Sequence, residues 1–597
     1  MTTGRTGGPG RYRPGRKRQL NTALLTVLAA AVAATVLVVL GAKAAGVHAT
    51  CNGQPAEVHV AVSGEIEPVI ARVGQYFNRQ HRQVDGRCAV VTVSSAPAAT
   101  VAGQLARVPL AQARSPAGAW IPDSADWVTI ARATPAAARL VQPTGITVAE
   151  SPLVIAMPRP AAARTPAFGT SVGWNFLLPA IAGGPAASVG LDVQFPDPTQ
   201  SAAGLDGLVQ LRRMLGYGRA ARAALAAFAL NVQVVRPAPG DGSLPSLDVF
   251  APAGAKTAGA NLTSAGKAVA PVTITSEQAV AQFDRAHPTQ PLAVRYPAQG
   301  TYQLSFPYVI TTTNPLAQAA ARAFGTELRS AYAAAYVRYE GFRSGTGAAP
   351  AWPAWSGLAS SEPRLLPQPG PGRALTALHA WRALGLGSRF LALNDISGAM
   401  TVRVTPGGPT LEQVLGGTAA AGMARFPNST QMGLWVFASH LQGSLPYKQI
   451  VPMGPLPGQV GVITRRQAIQ QLAASGKALP HVPAALYSAL LAAYRQMVAT
   501  YQPQYVNAII VLTAGIENAP GDIPAATLIR DLKAASVRGR PVEILMLVLG
   551  HPGTYNQLLK IVSVTNGKVW PVTSPAQVPQ IFYRAFGRRE CQPHCPR

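Results

Sequence analysis

The chain has 597 residues, of which 48% are hydrophobic and 13% charged. That length exceeds a single core and calls for two or three domains, and the apolar content excludes a largely disordered protein. A net charge of +27 suits an anionic partner such as nucleic acid, cell-wall polymer or lipid headgroups, but no basic run interleaved with aromatic residues occurs beyond the N-terminus, which speaks against nucleic acid.

Residues 1–20 form a basic tail carrying Arg5, Arg11, Arg13, Arg16, Lys17 and Arg18, and residues 21–41 have no charge. About 20 apolar residues span a bilayer, and flanking Arg and Lys stay on the cytoplasmic side. A transmembrane helix over 21–45 is therefore expected, with a cytoplasmic N-terminus and the bulk of the chain extracellular. A cleaved signal peptide is the competing reading, because Ala42-Lys43-Ala44 and Val47-His48-Ala49 loosely match small-residue cleavage sites. Signal h-regions are usually shorter, about 7 to 15 residues, which favours a single-pass anchor.

The four cysteines suit an oxidising exterior. Cys51 lies just past the membrane segment and Cys88 opens a strand, so a bridge between them is expected to pin the first strand beside the second. Cys591 and Cys595 close the chain in a short tail, 589–597. With His594 they offer three candidate ligands where structural zinc takes four, so a local disulfide is expected there, with free thiols as the alternative.

After the anchor a strand over 58–62 precedes a helix over 66–79, whose Ile66, Val69, Ile70, Val73 and Phe77 share one stripe. A strand over 88–93 and an Ala-rich helix near 100–107 follow. Further strands are expected at 127–130, 153–157, 191–195 and 292–296. Alternating strands and helices predict an α/β fold with parallel pairing. Residues 344–387 turn rich in Gly, Pro, Ser and Trp and read as a linker. A second alternating pattern occupies 388–588.

Residues 51–343 contain, in order, Ala61-Val-Ser63-Gly-Glu-Ile-Glu-Pro68, Val93-Ser94-Ser95, Pro122-Asp-Ser124-Ala-Asp-Trp127, Ala149-Glu-Ser151-Pro, Phe195-Pro-Asp197-Pro-Thr-Gln-Ser201 and Arg295-Tyr296-Pro. This series resembles bacterial extracellular solute-binding proteins of the molybdate-binding-like type. The resemblance implies two lobes hinged about a cleft. Strands ending in Ser at helix N-termini aim hydroxyls and amides into one crevice, which receives a small polar or anionic solute. Ser63, Ser94, Ser95, Ser151, Asp197, Ser201 and Tyr296 are the candidate ligand-binding residues. For each Ser the competing reading is an ordinary helix cap, and for Asp197 an Asx turn before Pro198.

In the second pattern, Phe390-Leu-Ala-Leu-Asn-Asp395-Ile-Ser397-Gly-Ala399-Met400, Ala484-Ala-Leu-Tyr-Ser-Ala-Leu490 and Ile509-Ile-Val-Leu-Thr513-Ala514-Gly515 resemble the three metal-site loops of a von Willebrand factor A domain, a Rossmann-like fold. In that family these loops hold Mg²⁺, which takes a carboxylate from a protein partner. Here alanine stands at 399, 484 and 514, and only Asp395 and Ser397 match the expected ligands. Mg²⁺ demands near-octahedral oxygen coordination, so a degenerate site without metal is expected. Glu517 is the nearest carboxylate that could substitute.

There is no Gly-x-Ser-x-Gly elbow, no His-Glu-x-x-His and no phosphate loop, and the nine His are scattered. Neither an enzyme nor a cofactor is expected. The combined architecture resembles actinobacterial envelope proteins that join both modules behind one anchor. Two readings follow: a tethered receptor that binds a solute in its cleft and a protein through the A domain, or an envelope scaffold or adhesion protein that uses both modules for protein interaction.

Overall fold

The computed structural model describes residues 53–107, 117–169, 171–184, 191–236, 247–250, 270–353, 356–423, 426–475, 477–515, 519–548, 554–572 and 574–591. The expected anchor over 21–45, Cys51, Cys595 and Glu517 lie outside the described residues. Among those described, no helix is long and apolar enough to cross a membrane.

In chain order the strands of the first region are β1 (Ala56–Val62), β2 (Gln83–Val84), β3 (Arg87–Ser95), β4 (Ala119–Ile121), β5 (Gln142–Pro158), β6 (Leu191–Pro196), β7 (Gln233–Val235), β8 (Ala270–Ser276), β9 (Leu292–Arg295), β10 (Gln303–Ile310) and β11 (Arg343–Ser344). They run in the order β2-β3-β1-β4-β10-β5-β8-β6-β7, with β9 and β11 also on β5. The long β5 explains the two lobes. Its first part pairs antiparallel with β10, and its last part, from Leu153 on, pairs antiparallel with β8 and β9. One strand therefore belongs to both halves. The parallel pairing expected throughout holds for β1 with β3 and β4, and for β6 with β7 and β8. It fails where β5 and β10 cross between halves.

The helix Glu67–Arg79 buries Val69, Ile70, Val73 and Phe77 against this sheet, each worth about 1.5–3 kcal/mol relative to exposure. One expected strand is corrected. Trp127 sits in the helix Ala125–Ala131, because the Ser124 hydroxyl caps it by accepting from the Asp126 amide at 3.1 Å. The strand of that region is the shorter β4, just upstream. Cys88, in β3, is disulfide-bonded, as is Cys591.

Residues 344–387 are more than a linker. Leu366 N–H donates to Thr301 O at 2.8 Å, and the Gln368 amide donates to Gln303 O at 2.9 Å. The helix Pro371–Gly385 then buries Ala374, Ala377, Leu378, Trp381 and Leu384. It packs on Ala125–Ala131 of the first lobe and on Ala202–Leu215 of the second. Trp381 lies against Phe195 and Phe228, with ring centroids 5.9 and 6.4 Å away.

The second region adds β12 (Gly387–Asp395), β13 (Gln431–Gln442), β14 (Leu445–Pro455), β15 (Gln459–Val460), β16 (Ile463–Thr464), β17 (Tyr505–Thr513), β18 (Val542–Val548) and β19 (Lys568–Pro571). Its six-stranded sheet runs β14-β13-β12-β17-β18-β19, parallel except at β14, and β15 and β16 form a separate hairpin. Side chains alternate across it. Leu391, Leu393, Ile509, Val511, Ile544 and Met546 form a closed core with the helix Leu486–Ala499. Phe390, Ala392, Ala508 and Leu545 face the other side, where the helices Leu411–Met423 and Val578–Gly587 lie.

Candidate functional site

The candidate residues of the first region fall into separate groups. Ser63, at the end of β1, is fully buried and points its hydroxyl at Asp123 Oδ1, 3.5 Å away. Ser94 and Ser95, at the end of β3, are exposed, and Ser94 Oγ lies 2.7 Å from His59 Nε2. Ser201 is buried and caps the helix Ala202–Leu215, accepting from Gly204 N–H at 3.4 Å. Beside it Asp197 forms the Asx turn, accepting from the Thr199 amide at 3.0 Å and its hydroxyl at 2.7 Å, and pairs with Arg236 at 3.0 Å.

Ser151 and Tyr296 meet at the N-terminus of the helix Glu277–Ala286. Ser151 Oγ accepts from the Gln278 amide at 3.0 Å. The Tyr296 hydroxyl donates to Glu277 and accepts from Ala359 N–H at 2.9 Å. Arg343, on β11, donates to both oxygens of Glu277 at 2.7 and 2.8 Å, and both side chains are 1% exposed. Burial first, and then the Glu277 charge, push the Tyr296 hydroxyl well above its ordinary range. This network fixes β5, β9 and β11 together where the lobes join. The serines near it cap and clamp.

Sequence reasoning missed a third group. Asp126, on the first-lobe helix, faces Asp206, on the second-lobe helix Ala202–Leu215, with Asp123 nearby. Asp126 is 3% exposed and Asp206 0%. Burial pushes Asp126 up to about 6, and burial followed by the Asp126 charge pushes Asp206 well above the usual carboxylate range. Both effects favour the protonated form of Asp206. Neither oxygen of Asp206 has an N–H or O–H partner of good geometry among the described residues. The available signal was a charge inside the apolar run Ala202-Ala-Gly-Leu-Asp206-Gly-Leu-Val.

In the second region Asp395 ends β12, buried, and binds protein donors with both oxygens. Oδ1 accepts from Ser397 N–H at 2.9 Å. Oδ2 accepts from the Thr513 hydroxyl at 2.8 Å and from Ala514 N–H at 3.3 Å. Burial raises its carboxyl and these donors lower it. Ala484 is fully buried and Ala399 and Ala514 are half-buried. These residues do not fit Mg²⁺: the one carboxylate is committed to the fold, and three positions carry methyl groups. Among the described residues no three His, Cys, Asp or Glu side chains gather as a metal site. A carboxylate the motif did not flag, Asp522, holds the N-terminus of the helix Leu486–Ala499 by accepting from the amides of Tyr487 at 3.0 Å and Ser488 at 2.9 Å.

Residues 58–343 match the family model for bacterial extracellular solute-binding proteins. No curated protein matches the chain. Among solved structures, iron-bound HitA from Pseudomonas aeruginosa is 15% identical, covers 56% of this chain and 100% of its own, and has a TM-score of 0.39. The sulfate-binding protein SubI from Mycobacterium tuberculosis H37Rv is 17% identical over 48% of this chain and 86% of its own, at 0.33. A von Willebrand factor type A structure from Catenulispora acidiphila is 15% identical over 34% of this chain and 42% of its own, at 0.26. None of these likenesses is close enough to assign a ligand.

Proposed function

We propose that the chain is a non-enzymatic, membrane-tethered extracellular receptor. In this reading the domain spanning 51–343 takes a small polar solute between its lobes. Residues 388–588, a von Willebrand factor A domain without its metal chemistry, bind a protein partner. The observation that carries the solute reading is the meeting of Asp126 and Asp206 across the lobe boundary, inside a domain of solute-binding type. Buried polar oxygens without donors are costly, and a solute rich in N–H or O–H groups offsets that cost when it sits between the lobes. At this point of the boundary the carboxylates favour a donor-rich or cationic solute over an anion.

The test is a melting-temperature screen of the whole chain against polyamines, amino acids, sugars and oxyanions. A saturable rise with one class supports the receptor, since a ligand that binds only the native state stabilises it by mass action. No rise with any class, combined with partner capture unaffected by solutes, supports the scaffold. That second reading has its own observation. The helix Pro371–Gly385 lies on both lobes, and Arg212 of the second lobe pairs with Glu590 at 2.6 Å, so opening the lobes would disturb contacts with the rest of the chain.

A further inference from the structure

The outer face of the C-terminal sheet leaves a pocket of about 120 Å³ where a core would be expected. Its origin is local. Ala392 and Ala508 are the small residues at the centre of the sheet face, and Ala419, Gly422 and Ala585 are the small residues on the helices opposite. Both walls thus carry short side chains, whereas native cores pack without such voids. The opposite face of the same sheet is filled by large residues. Apolar voids of this size stay dry and accept apolar molecules.

The two ends of the pocket are polar. At the strand-start end Arg589 lines it, 5% exposed, with its guanidinium 3.9 Å from the Phe586 ring centroid. Its acceptors are neutral: Leu386 O at 2.8 Å, Ser388 Oγ at 2.7 Å and Leu384 O at 3.4 Å. No carboxylate lies within ion-pair distance of it among the described residues. Glu543, also on the pocket wall, pairs with Arg588 at 2.8 Å. Burial lowers the Arg589 pKa to about 9, only partly offset by the Glu543 charge. At the strand-finish end the Thr418 hydroxyl, 3% exposed, and Asn394 Oδ1 have no hydrogen-bond partner among the described residues. From Phe390 to Asn394 the lining runs four residues along β12, roughly 13 Å at strand rise, the reach of an extended medium-chain acyl group.

We propose that this pocket binds a medium-chain fatty carboxylate, its tail along the Ala392 and Ala508 face and its carboxylate on Arg589. The buried guanidinium then gains a directly bonded carboxylate, which no described side chain gives it, and the tail fills the void. A buried guanidinium with only neutral acceptors selects the acid over the alcohol of the same chain length, because the ionised head gains a charge-assisted bond.

The experiment is calorimetric titration of the delipidated whole chain with decanoate and, separately, with decanol. Saturable one-to-one binding of decanoate is expected. Ala419→Phe, which fills the pocket from the helix, should abolish binding of both while leaving the melting temperature unchanged or raised. Arg589→Met should weaken decanoate about tenfold or more, the value of one charge-assisted hydrogen bond, and leave decanol within about twofold. The proposal is overturned if wild-type protein shows no saturable decanoate binding, or if Ala419→Phe binds as well as wild type. Equal weakening of acid and alcohol by Arg589→Met would also overturn it. If Arg589→Met does not fold, the Ala419→Phe result alone decides.

Discussion

Arg212 and Glu590 meet at 2.6 Å, with side chains 8% and 3% exposed, and join the second lobe of the first region to the last turn after the C-terminal helix. Burial pushes Glu590 up to about 7, against the pull of Arg212. The pair therefore pays much of its Coulombic gain in desolvation. Removing one member is worse than removing both, since it strands a buried charge.

Arg212→Met alone should therefore cost about 3–5 kcal/mol at pH 8, where Glu590 is ionised and left without its cation. At pH 5.5 the loss should shrink, because the stranded carboxyl takes up a proton. The double variant Arg212→Met with Glu590→Gln should recover a large part of the loss at pH 8. Melting temperatures of the three variants at both pH values check this. A pH-independent loss, or a double variant no better than the single, would refute the pairing.

The same junction depends on one glycine. A Cβ built on Gly587 would lie 2.7 Å from the carbonyl carbon and oxygen of Arg222, which begins the approach of Val578–Gly587 to Arg219–Asn231. Here Asn231 donates to the Tyr583 hydroxyl at 2.9 Å. Gly587→Ala should force these backbones apart and speed limited proteolysis of the whole chain between the two regions. Gly417→Ala is the control: the site is an exposed helix position with nothing within 4 Å of the new Cβ. It should stabilise by about 0.4–1 kcal/mol through lost unfolded-state freedom. Identical cleavage rates in both variants would show that the contact at Gly587 does not hold the regions together.

Acid should stabilise this protein. Asp126 and Asp284 sit near 6 and Glu590 near 7, raised chiefly by burial, and Asp206 is raised well above its ordinary value by the same cause. A carboxyl whose folded value exceeds its unfolded value binds more protons in the native state. Its stabilisation is complete below the unfolded value of about 4 and is lost as pH rises through the folded value. The melting temperature should fall between pH 5 and pH 7.5. Asp206→Asn, which removes one of the raised carboxyls, should flatten that fall. A melting temperature that rises over the same interval, or a slope untouched by Asp206→Asn, would count against these buried carboxyls as its cause.

What the sequence made legible was whatever repeats locally. The apolar stripe of Val69, Ile70, Val73 and Phe77 announced its helix, and Phe195-Pro-Asp197 announced its turn, which Thr199 completes. Trp127 was misread because a seven-residue helix has too few turns to show a period, and its one signal, the Ser124 cap, was outweighed by β-favouring side chains. The helix Pro371–Gly385 did have helical spacing in Ala374, Ala377, Leu378, Trp381 and Leu384, but it lay inside a stretch read as linker from its Pro and Gly content. The Asp126 and Asp206 pair left almost no trace, since only the docking of two lobes brings those carboxylates together. Of the candidate serines, Ser63 follows β1 and Ser94 and Ser95 end β3, whereas Ser151 lies inside β5 and Ser201 precedes the helix Ala202–Leu215. Their hydroxyls at 151 and 201 serve helix N-termini, the competing reading for such residues.

The loop at the end of β12 yields the prediction that runs most directly against its family resemblance. Asp395 uses both oxygens on Ser397, Thr513 and Ala514, so a cation would have to displace donors that now hold two loops together. With alanine at 399, 484 and 514, water would have to supply most of the octahedral shell that Mg²⁺ demands. Millimolar Mg²⁺ or Mn²⁺ should leave the melting temperature of the chain unchanged. Restoring Ala399→Ser, Ala484→Thr and Ala514→Asp together should lower the metal-free melting temperature, because Ala484 is fully buried and a second carboxylate is brought beside Asp395. Metal should then raise it by charge neutralisation. A metal-dependent rise in the unmodified chain that disappears in Asp395→Ala would show that this loop still binds a cation and that its carboxylate is not confined to bracing the fold.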